Sequence, residues 1–241
     1  MGALVSFIDR KLYPGVGNNW DDTLLRDRIL ARLTPEMVVL DLGAGAGIVD
    51  RMNFRGKAAK VCGVDLDPRV VENPYLDEAR VADAGGIPYE DGVFDLVFAD
   101  NVMEHLDQPE QVFAEIARVL KPGGRLLFKT PNRSHYMPLI ARTTPHGFHQ
   151  FVNRLRGRAE VDTFPTCYLS NSVKQVSALA EKAGFEVVAI DRIENRPEYL
   201  RMTALTYLAG AAYERLVNLT SLLARFRVLL IAELRKADAG R

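Results

Sequence analysis

The chain has 241 residues, of which 48% are hydrophobic and 26% charged, and its 31 basic and 31 acidic residues give a formal net charge of zero. This length and composition are typical of a soluble globular protein with one α/β domain and insertions. Sequence-independent binding of RNA or DNA needs a surplus of basic charge, so we expect no nucleic-acid partner.

The cysteines and the start of the chain favour a cytoplasmic location. Cys62 and Cys167 are predicted to be free thiols in a reducing compartment. Two cysteines so placed cannot form a zinc site by themselves, and we expect no bound metal. Residues 1–13 carry charges soon after a short apolar stretch, so we expect no signal peptide. No uncharged apolar run reaches roughly 18 residues, so no transmembrane helix is expected.

Short apolar runs alternate with helical stretches from residue 37 onward. The runs are near-continuously apolar, which is typical of strands covered on both faces. They occupy residues 38–40, 61–64, 79–82, 94–99 and 125–129. A helix is predicted over residues 109–120, where the apolar side chains fall on one face. This βαβαβ order predicts an α/β fold with a doubly wound, mostly parallel sheet.

The later chain is less regular. A helix is predicted from Ser170 or Asn171 to Lys182, and a strand over residues 185–193. A final short strand is predicted over residues 227–234. Residues 197–223 between them have helical spacing, with one apolar stripe formed by Leu205, Leu208, Ala212, Leu216, Leu219 and Leu223.

A glycine-rich turn follows the first predicted strand and is expected to open a helix. Gly43, Gly45 and Gly47 permit positive φ angles and a close approach of the backbone to a ligand. The spacing is D-x-G-x-G-x-G, because Ile48 and Asp50 stand where a dinucleotide fingerprint needs glycine. The acid before the first glycine, Asp41, suits a ligand with an ammonium group better than one with a pyrophosphate. A tight turn without a ligand is the alternative.

Polar residues directly follow the first four apolar runs, at the edge of a parallel sheet where ligands bind. Asp65 is placed to accept hydrogen bonds from two ribose hydroxyls, or to cap a helix. Asp83 is placed to accept a hydrogen bond from the exocyclic amine of an adenine. Asp100 and Asn101 follow the fourth run, beneath the expected amino-acid end of the ligand.

These motifs, taken in order, resemble the class I S-adenosylmethionine-dependent methyltransferases. Within that family the sequence resembles the small-molecule branch that includes the ubiquinone and menaquinone enzymes. The resemblance covers about residues 36–130. It rests on residues 38–47, Gly63-Val64-Asp65-Leu66-Asp67, Ile87-Pro88-Tyr89 with Phe94-Asp95-Leu96-Val97, Glu104-His105-Leu106 and Lys121-Pro122-Gly123-Gly124.

The resemblance implies a Rossmann-like, seven-stranded sheet whose last strand is antiparallel, and S-adenosylmethionine as the cofactor, with S-adenosylhomocysteine as the product. It implies that the ribose, the adenine and the methionine end are bound by residues of the strand ends. The implied cofactor-binding residues are Asp41, Gly43, Ala44, Gly45, Gly47, Asp65, Leu66, Asp83, Ala84 and Asn101. Pro74 departs from the family pattern and predicts a short or broken helix after the second strand.

The acceptor side offers histidines as candidate general bases. Methyl transfer from a sulfonium is an in-line displacement, so the enzyme must align the nucleophile, exclude water and, for a hydroxyl, remove a proton. His105 lies near the cofactor by motif, while His135, His146 and His149 lie in the insertion after the fifth strand. A packing role for His105 and surface or structural roles for the others are the alternatives.

The domain organisation follows from these assignments. We expect an N-terminal cap segment over residues 1–36, a cofactor-binding core over 37–131, an acceptor-site insertion over 132–169 and the end of the core sheet over 170–241. Two stretches exceed the minimal fold, residues 131–166 after the fifth strand and residues 195–224 before the last strand. Both are expected to leave the sheet at its carboxyl edge and to shape the acceptor site. The helix at about 197–223 is expected to pack on the core or on a second copy in a homodimer. A lid over a hydrophobic acceptor and a peripheral membrane contact are its alternatives.

The function predicted from the sequence is methyl transfer from S-adenosylmethionine to a small molecule such as a sugar, a lipid or a secondary metabolite. A nicotinamide-dependent oxidoreductase is a first alternative, disfavoured by the glycine spacing. A non-catalytic cofactor-binding module is a second alternative, and the histidines of the insertion weigh against it.

Overall fold

The fold is taken from a computed structural model that describes residues 2–143 and 165–238. The helices are α1 (Ala3–Leu12), α2 (Trp20–Leu30), α3 (Pro109–Val119), α4 (Tyr136–Thr143), α5 (Val173–Lys182) and α6 (Ala204–Asn218). The strands are β1 (Val38–Leu42), β2 (Lys60–Asp65), β3 (Glu78–Val81), β4 (Phe94–Asp100), β5 (Leu120–Pro131), β6 (Phe185–Ile193) and β7 (Leu229–Lys236).

The seven strands form one sheet in the order β3-β2-β1-β4-β5-β7-β6. The pairs β1–β2, β1–β4, β2–β3 and β4–β5 are parallel. The chain moves outward from β1 to β3 and then returns to the other side of β1, so the sheet is doubly wound with its switch point between β1 and β4. Ligands bind at such switch points, outside the carboxyl ends of the strands. The α/β fold class predicted from the sequence is confirmed.

The last strand, β7, runs antiparallel to β5. Lys236 Nζ donates to the Leu120 carbonyl at 2.7 Å, at the start of β5. The Asn132 amide donates to the Val228 carbonyl at 2.8 Å, just past its end. As residue numbers rise along β5, those of the facing chain fall, which confirms the expected antiparallel last strand.

The core lies between the sheet and the helices that cover it. β1, β2, β4 and β5 are buried along most of their length, as their near-continuous apolar runs predict. α3 buries its predicted apolar face, and the Phe113 ring of that face meets the rings of Phe128 and Phe185 edge-on at 6.2 and 6.5 Å. These contacts join α3 to β5 and β6.

Three local predictions need correction. The glycine turn does not open an α-helix: only a 3-10 turn at Asp50–Met52 follows it. The stretch up to Gly56, which has a positive φ of 75°, is too short and too poor in apolar spacing to form one. α5 is capped by Ser172, which accepts a hydrogen bond from the Gln175 amide, rather than by Ser170 or Asn171.

The third correction concerns α6, which is shorter than the predicted helix over residues 197–223. Its predicted apolar stripe does not pack on the core: Leu205 is 80% exposed and Leu216 52%. The buried face is instead formed by Tyr207, Gly210, Ala211 and Val217. Both faces carry apolar or small residues, so the apolar pattern alone does not tell which one is covered.

The chain divides into two compact units, which are described separately below. The sheet unit comprises Asn19–Thr130, Cys167–Asp191 and Leu230–Arg241. The helical unit comprises Met1–Asn18, Pro131–Thr166 and Arg192–Leu229. In the helical unit α1 packs on α6 through Val5, Ile8, Tyr13, Tyr207 and Ala211. The predicted division at residues 36, 131 and 169 stays a prediction.

Candidate active site

The glycine turn is tied to the carboxyl end of β2. The Gly45 amide donates to Asp65 Oδ2 at 2.7 Å, and the Asp67 amide donates to Oδ1 at 2.8 Å. The Gly43 amide donates to the Val64 carbonyl at 2.8 Å, so the turn leaves β1 and crosses directly to the end of β2. The Asp65 carboxylate is therefore fixed at the mouth of the turn, and its remaining lone pairs are available to a ligand.

The three glycines of the turn have different reasons to be glycine, although all have positive φ angles, between 51° and 80°. A Cβ at Gly43 would overlap the Val102 side chain, and one at Gly47 would lie 2.5 Å from Asn73 Oδ1. A Cβ at Gly45 would meet nothing closer than Asp65 Oδ2 at 3.9 Å. Gly43 and Gly47 thus permit packing within the protein, whereas Gly45 faces open space beside a carboxylate, where a ligand can approach the backbone.

Asn73 holds the turn, and the sequence did not single it out. Its buried side chain donates from Nδ2 to the Ala44 and Gly45 carbonyls at 3.0 and 3.2 Å, and its Oδ1 accepts from the Tyr75 amide at 2.9 Å. The segment after β2 forms only a 3-10 turn, Pro68–Glu72, which confirms the short or broken helix predicted from Pro74. That short segment is what brings Asn73 to the turn.

Three carboxylates meet at the switch point. Asp41 lies opposite Gly63 of β2 and Phe98 of β4 in the sheet register. Burial raises the pKa of Asp41 well above its usual range, and the charges of Asp100 and Asp65 raise it further. Carboxylates that are buried together favour a proton or a cation between them. A ligand ammonium group would supply such a cation.

A buried lysine lies beside these acids. Lys129 Nζ is 2.8 Å from Asp21 Oδ2 and 3.0 Å from Asp100 Oδ1, and it also contacts Asp22. Burial lowers the pKa of Lys129, but the three aspartates outweigh burial and raise it above the ordinary value. Burial raises the pKa of Asp100 to about 6, against the opposing effect of Lys129. One cation cannot neutralise three carboxylates, so this end of the sheet stays acidic.

The remaining cofactor candidates extend along the same edge. The Ala82 amide donates to the Asp65 carbonyl at 3.0 Å, which joins the end of β3 to that of β2. Asp83 follows there, is exposed and accepts from the Gly85 amide at 2.7 Å, with Ala84 half-buried beside it. Leu66 is 60% exposed. The sheet unit thus places the predicted ribose and adenine residues on adjacent strand ends.

Asn101 follows β4 at the methionine end of the predicted site. Its φ is +54°, in the left-handed region that residues other than glycine seldom adopt. Its Nδ2 donates to Asp100 Oδ1 at 2.9 Å, and its amide donates to the Lys129 carbonyl at 3.1 Å. The unusual backbone is thus held by contacts with β5, as is common at functional sites.

The segment with His105 rests on a buried polar network. Thr130 Oγ1 donates to Glu104 Oε2 at 2.9 Å and accepts from Asn171 Nδ2 at 2.5 Å. The Glu104 carbonyl accepts from the Cys167 amide at 2.7 Å, and burial raises the pKa of the Glu104 carboxyl. His105 itself is half-buried. These contacts fix its backbone, and a direct role for its side chain stays a prediction.

His135 belongs to the helical unit and is fully buried there. Its Nδ1 accepts from the Met137 amide at 3.3 Å, and its Nε2 lies 3.7 Å from Glu194 Oε2. Burial lowers the pKa of His135 to about 3 and raises that of Glu194 to about 8. Both groups are neutral near pH 7, and His135 is packed as a structural residue would be. His146 and His149 lie outside the described residues.

Two further observations concern the described part of the chain. It contains no cluster of three or more histidine, cysteine, aspartate or glutamate side chains that could hold a metal ion. No helix within residues 2–143 and 165–238 is long and apolar enough to cross a bilayer.

Comparison with known proteins agrees with the fold and the site. Residues 40–128 match the model of a family described as a methyltransferase domain. The chain is 35% identical over 99 residues to the malonyl-[acyl-carrier protein] O-methyltransferase of Hahella chejuensis, covering 38% of this chain and 36% of that protein. It is 30% identical over 135 residues to the ubiquinone biosynthesis O-methyltransferase of Thiobacillus denitrificans, covering 49% of this chain and 58% of that protein.

A solved structure extends the likeness in fold to almost the whole chain. The [4+2]-cyclase SpnF superposes with a TM-score of 0.59 at 18% identity, covering 98% of this chain and 93% of that one. At this identity the likeness concerns the fold alone. The aligned stretches span only 36% and 58% of the lengths of the two curated relatives.

The sheet order, the switch point and the glycine turn beside a strand-end carboxylate define an α/β cofactor-binding domain of the methyltransferase type. Together with the match over residues 40–128, they place this domain in the class I S-adenosylmethionine-dependent methyltransferase family. The cofactor of the domain is S-adenosylmethionine. The matches give no support to a nicotinamide cofactor.

Proposed function

We propose that the protein transfers the methyl group of S-adenosylmethionine to a small-molecule acceptor. The observation that carries the proposal is the open face of Gly45 beside the fixed Asp65 carboxylate, within a domain that matches the methyltransferase family. The relatives named above methylate small or carrier-bound molecules by name, which supports an acceptor that is a sugar, a lipid or a secondary metabolite.

The residues of the sheet unit have distinct roles in this proposal. Asp65 accepts hydrogen bonds from the ribose hydroxyls with the lone pairs that the Gly45 and Asp67 amides leave open. Gly45 lets the backbone approach the ligand. Asp41 and Asp100 hold the ammonium group of the methionine end together with Asn101, because a nearby cation favours the ionised form of carboxylates whose pKa values burial raises. Asp83, Ala84 and Leu66 line the adenine end.

When bound, the cofactor supplies a methyl group on a sulfonium, whose leaving group is already activated. The protein therefore has to orient the acceptor and keep water out, and it needs a base only if the acceptor atom carries a proton. His105 is the candidate base within the sheet unit, and His146 and His149 are the candidates of the insertion. His135 is a poor candidate, because burial lowers its pKa to about 3.

Two finer points belong to the same proposal. We place the protein in the cytoplasm, since the two cysteines are both free thiols. A homodimer through the exposed apolar residues of α6 stays a prediction, with a peripheral membrane contact as the alternative use of that face. Light scattering in solution measures the second point.

Calorimetric titration tests the cofactor, and transfer of a labelled methyl group across a panel of acceptors tests the reaction. Binding of S-adenosylmethionine, with no binding of NAD, is expected. Tight NAD binding without S-adenosylmethionine binding would refute the cofactor assignment. Cofactor binding without transfer to any class of acceptor would favour a non-catalytic module instead.

A further inference from the structure

One face of α6 is apolar along its whole length and has no partner in the described part of the chain. Leu205, Leu208 and Leu216 are 80%, 50% and 52% exposed. Leu219 and Leu222, which follow the helix in the chain, are 73% and 82% exposed. Soluble proteins expose single apolar residues commonly, but a continuous stripe of this size marks an interaction surface.

The helix cannot rotate about its axis to bury this stripe, because packing and hydrogen bonds hold its opposite face in place. A Cβ at Gly210 would lie 2.7 Å from Pro197 Cβ, so the helix backbone lies directly on that segment. Tyr207 is fully buried and donates from its hydroxyl to Asp9 Oδ1, and Asn218 Nδ2 donates to the Glu194 carbonyl at 3.0 Å. The exposure of the stripe is therefore built into the unit.

The charge of the helical unit indicates which kind of surface the apolar stripe binds. The described residues of the unit, 2–18, 131–143, 165–166 and 192–229, carry ten arginines and lysines against four acidic residues. Their net formal charge is +6, whereas the whole chain is neutral. All four carboxylates are turned inward: Asp9 and Glu198 pair with Arg196, Glu214 accepts from Tyr13, and Glu194 accepts from the Val228 amide.

The charges left on the outside are basic. Arg10 and Lys11 on α1 and Arg225 after α6 are exposed, and so is Arg215 beside the stripe, which also lies 3.6 Å from Glu214 Oε2. The exposed residues of the unit thus include both an apolar stripe and several cations. That combination is complementary to an anionic lipid surface, which takes up apolar side chains below its headgroups and attracts basic side chains around them.

We propose that α6 docks the protein on an anionic phospholipid bilayer, with the helix lying in the plane of the interface. A helix of 15 residues is about 22 Å long, which is too short to span a bilayer but sufficient to lie along its surface. Docking of a second copy through the same face would bring together two units whose described residues each carry a net formal charge of +6, and this repulsion disfavours that occupant. The proposal does not rest on methyl transfer.

Cosedimentation with vesicles tests the docking. Wild-type protein is expected to bind vesicles of equal parts phosphatidylglycerol and phosphatidylcholine, to bind phosphatidylcholine alone at least tenfold more weakly, and to be released by salt. The double variant Leu205→Glu/Leu216→Glu is expected to lose at least tenfold in affinity. Val187→Glu/Val188→Glu is the matched control, because it places the same charges at two exposed valines of β6. It is expected to bind like wild type.

Calorimetric titration with S-adenosylmethionine in the absence of vesicles, and thermal unfolding, establish that both double variants are folded and keep the proposed cofactor site. Failure of the wild type to bind anionic vesicles, or equal binding to both vesicle types, would overturn the proposal. So would binding by the leucine variant at wild-type strength. A wild-type dimer that the leucine variant converts to a monomer, with no vesicle binding by either, would assign the stripe to a second copy instead.

Discussion

Replacement of Asp65 by alanine removes the carboxylate that the cofactor assignment depends on most. In the structure this carboxylate accepts hydrogen bonds from the amides of Gly45 and Asp67, at 2.7 and 2.8 Å. Asp65→Ala therefore acts in two ways: it removes the proposed acceptor for the ribose hydroxyls, and it frees the two amides that shape the turn.

The size of each effect follows from the kind of bond that is lost. A hydrogen bond to a charged group contributes about 1.5–3 kcal/mol. Loss of the ribose contact is therefore expected to raise the Kd for S-adenosylmethionine by roughly 10- to 150-fold. The two amides are only partly buried and can turn to water, so we expect the free energy of unfolding to fall by about 1–2 kcal/mol.

Calorimetric titration measures the Kd, and denaturant unfolding measures the stability. Asp65→Asn keeps the shape of the side chain and one acceptor oxygen, so it separates the loss of binding from distortion of the turn. Asp67→Asn is the matched control, since it removes one negative charge from the same loop, and its Kd is expected to stay near that of wild type. Unchanged cofactor affinity in folded Asp65→Ala would refute the ribose assignment.

Three further predictions concern the turn and the buried charges. Gly43→Ala is expected to destabilise the fold more than Gly45→Ala in denaturant unfolding, because only the Cβ at position 43 meets packed atoms. Gly45→Ala is expected to lower the free energy of unfolding by about 1–2 kcal/mol because of its left-handed backbone. It is also expected to weaken cofactor binding in calorimetry. Lys129→Met is expected to destabilise by about 1.5–3 kcal/mol, because it leaves three partly buried carboxylates without their cation. A loss below ~1 kcal/mol in denaturant unfolding would contradict this. Burial raises the pKa of Glu194 to about 8, so the folded protein holds a proton that the unfolded chain releases, and stability falls as pH rises toward 8. Between pH 6.5 and 8 wild type is expected to lose about 1–2 kcal/mol, because the loss from Glu194 exceeds the small gain from His135, which is neutral when folded and deprotonates in the unfolded chain. Glu194→Gln is expected to lose much less, and parallel pH profiles would argue against a protonated Glu194.

The sheet could be predicted because its signals are local. Each buried parallel strand corresponds to a short apolar run in the sequence. The acids that follow these runs lie at one edge of the sheet because the strands are parallel. Asp41 and Asp65 could therefore be placed at the carboxyl edge of the sheet from the sequence. The antiparallel last strand was available only through the family resemblance, because its apolar run says nothing about its direction.

The contacts that hold the site could not be predicted, because they join distant parts of the chain. Asn73 binds the glycine turn from 29 positions away, and Lys129 pairs with Asp21 from 108 positions away. In the sequence such residues look like ordinary polar residues of a loop or a solvated helix face. The prediction of a helix after the glycine turn was wrong, because a glycine turn after a strand was taken to imply a helix. In the structure Asn73 supports the turn instead.

The pairing of α2 with β5 has a consequence for how far this protein can be trimmed. The stretch that matches the methyltransferase family, residues 40–128, excludes Asp21, Asp22 and Lys129. It also excludes β7, whose insertion beside β5 completes the sheet. A fragment cut to the matched residues would end one residue before the buried lysine and leave the flank of β5 uncovered. The smallest piece that can fold must therefore include both α2 and β7, although they lie nearly 200 positions apart.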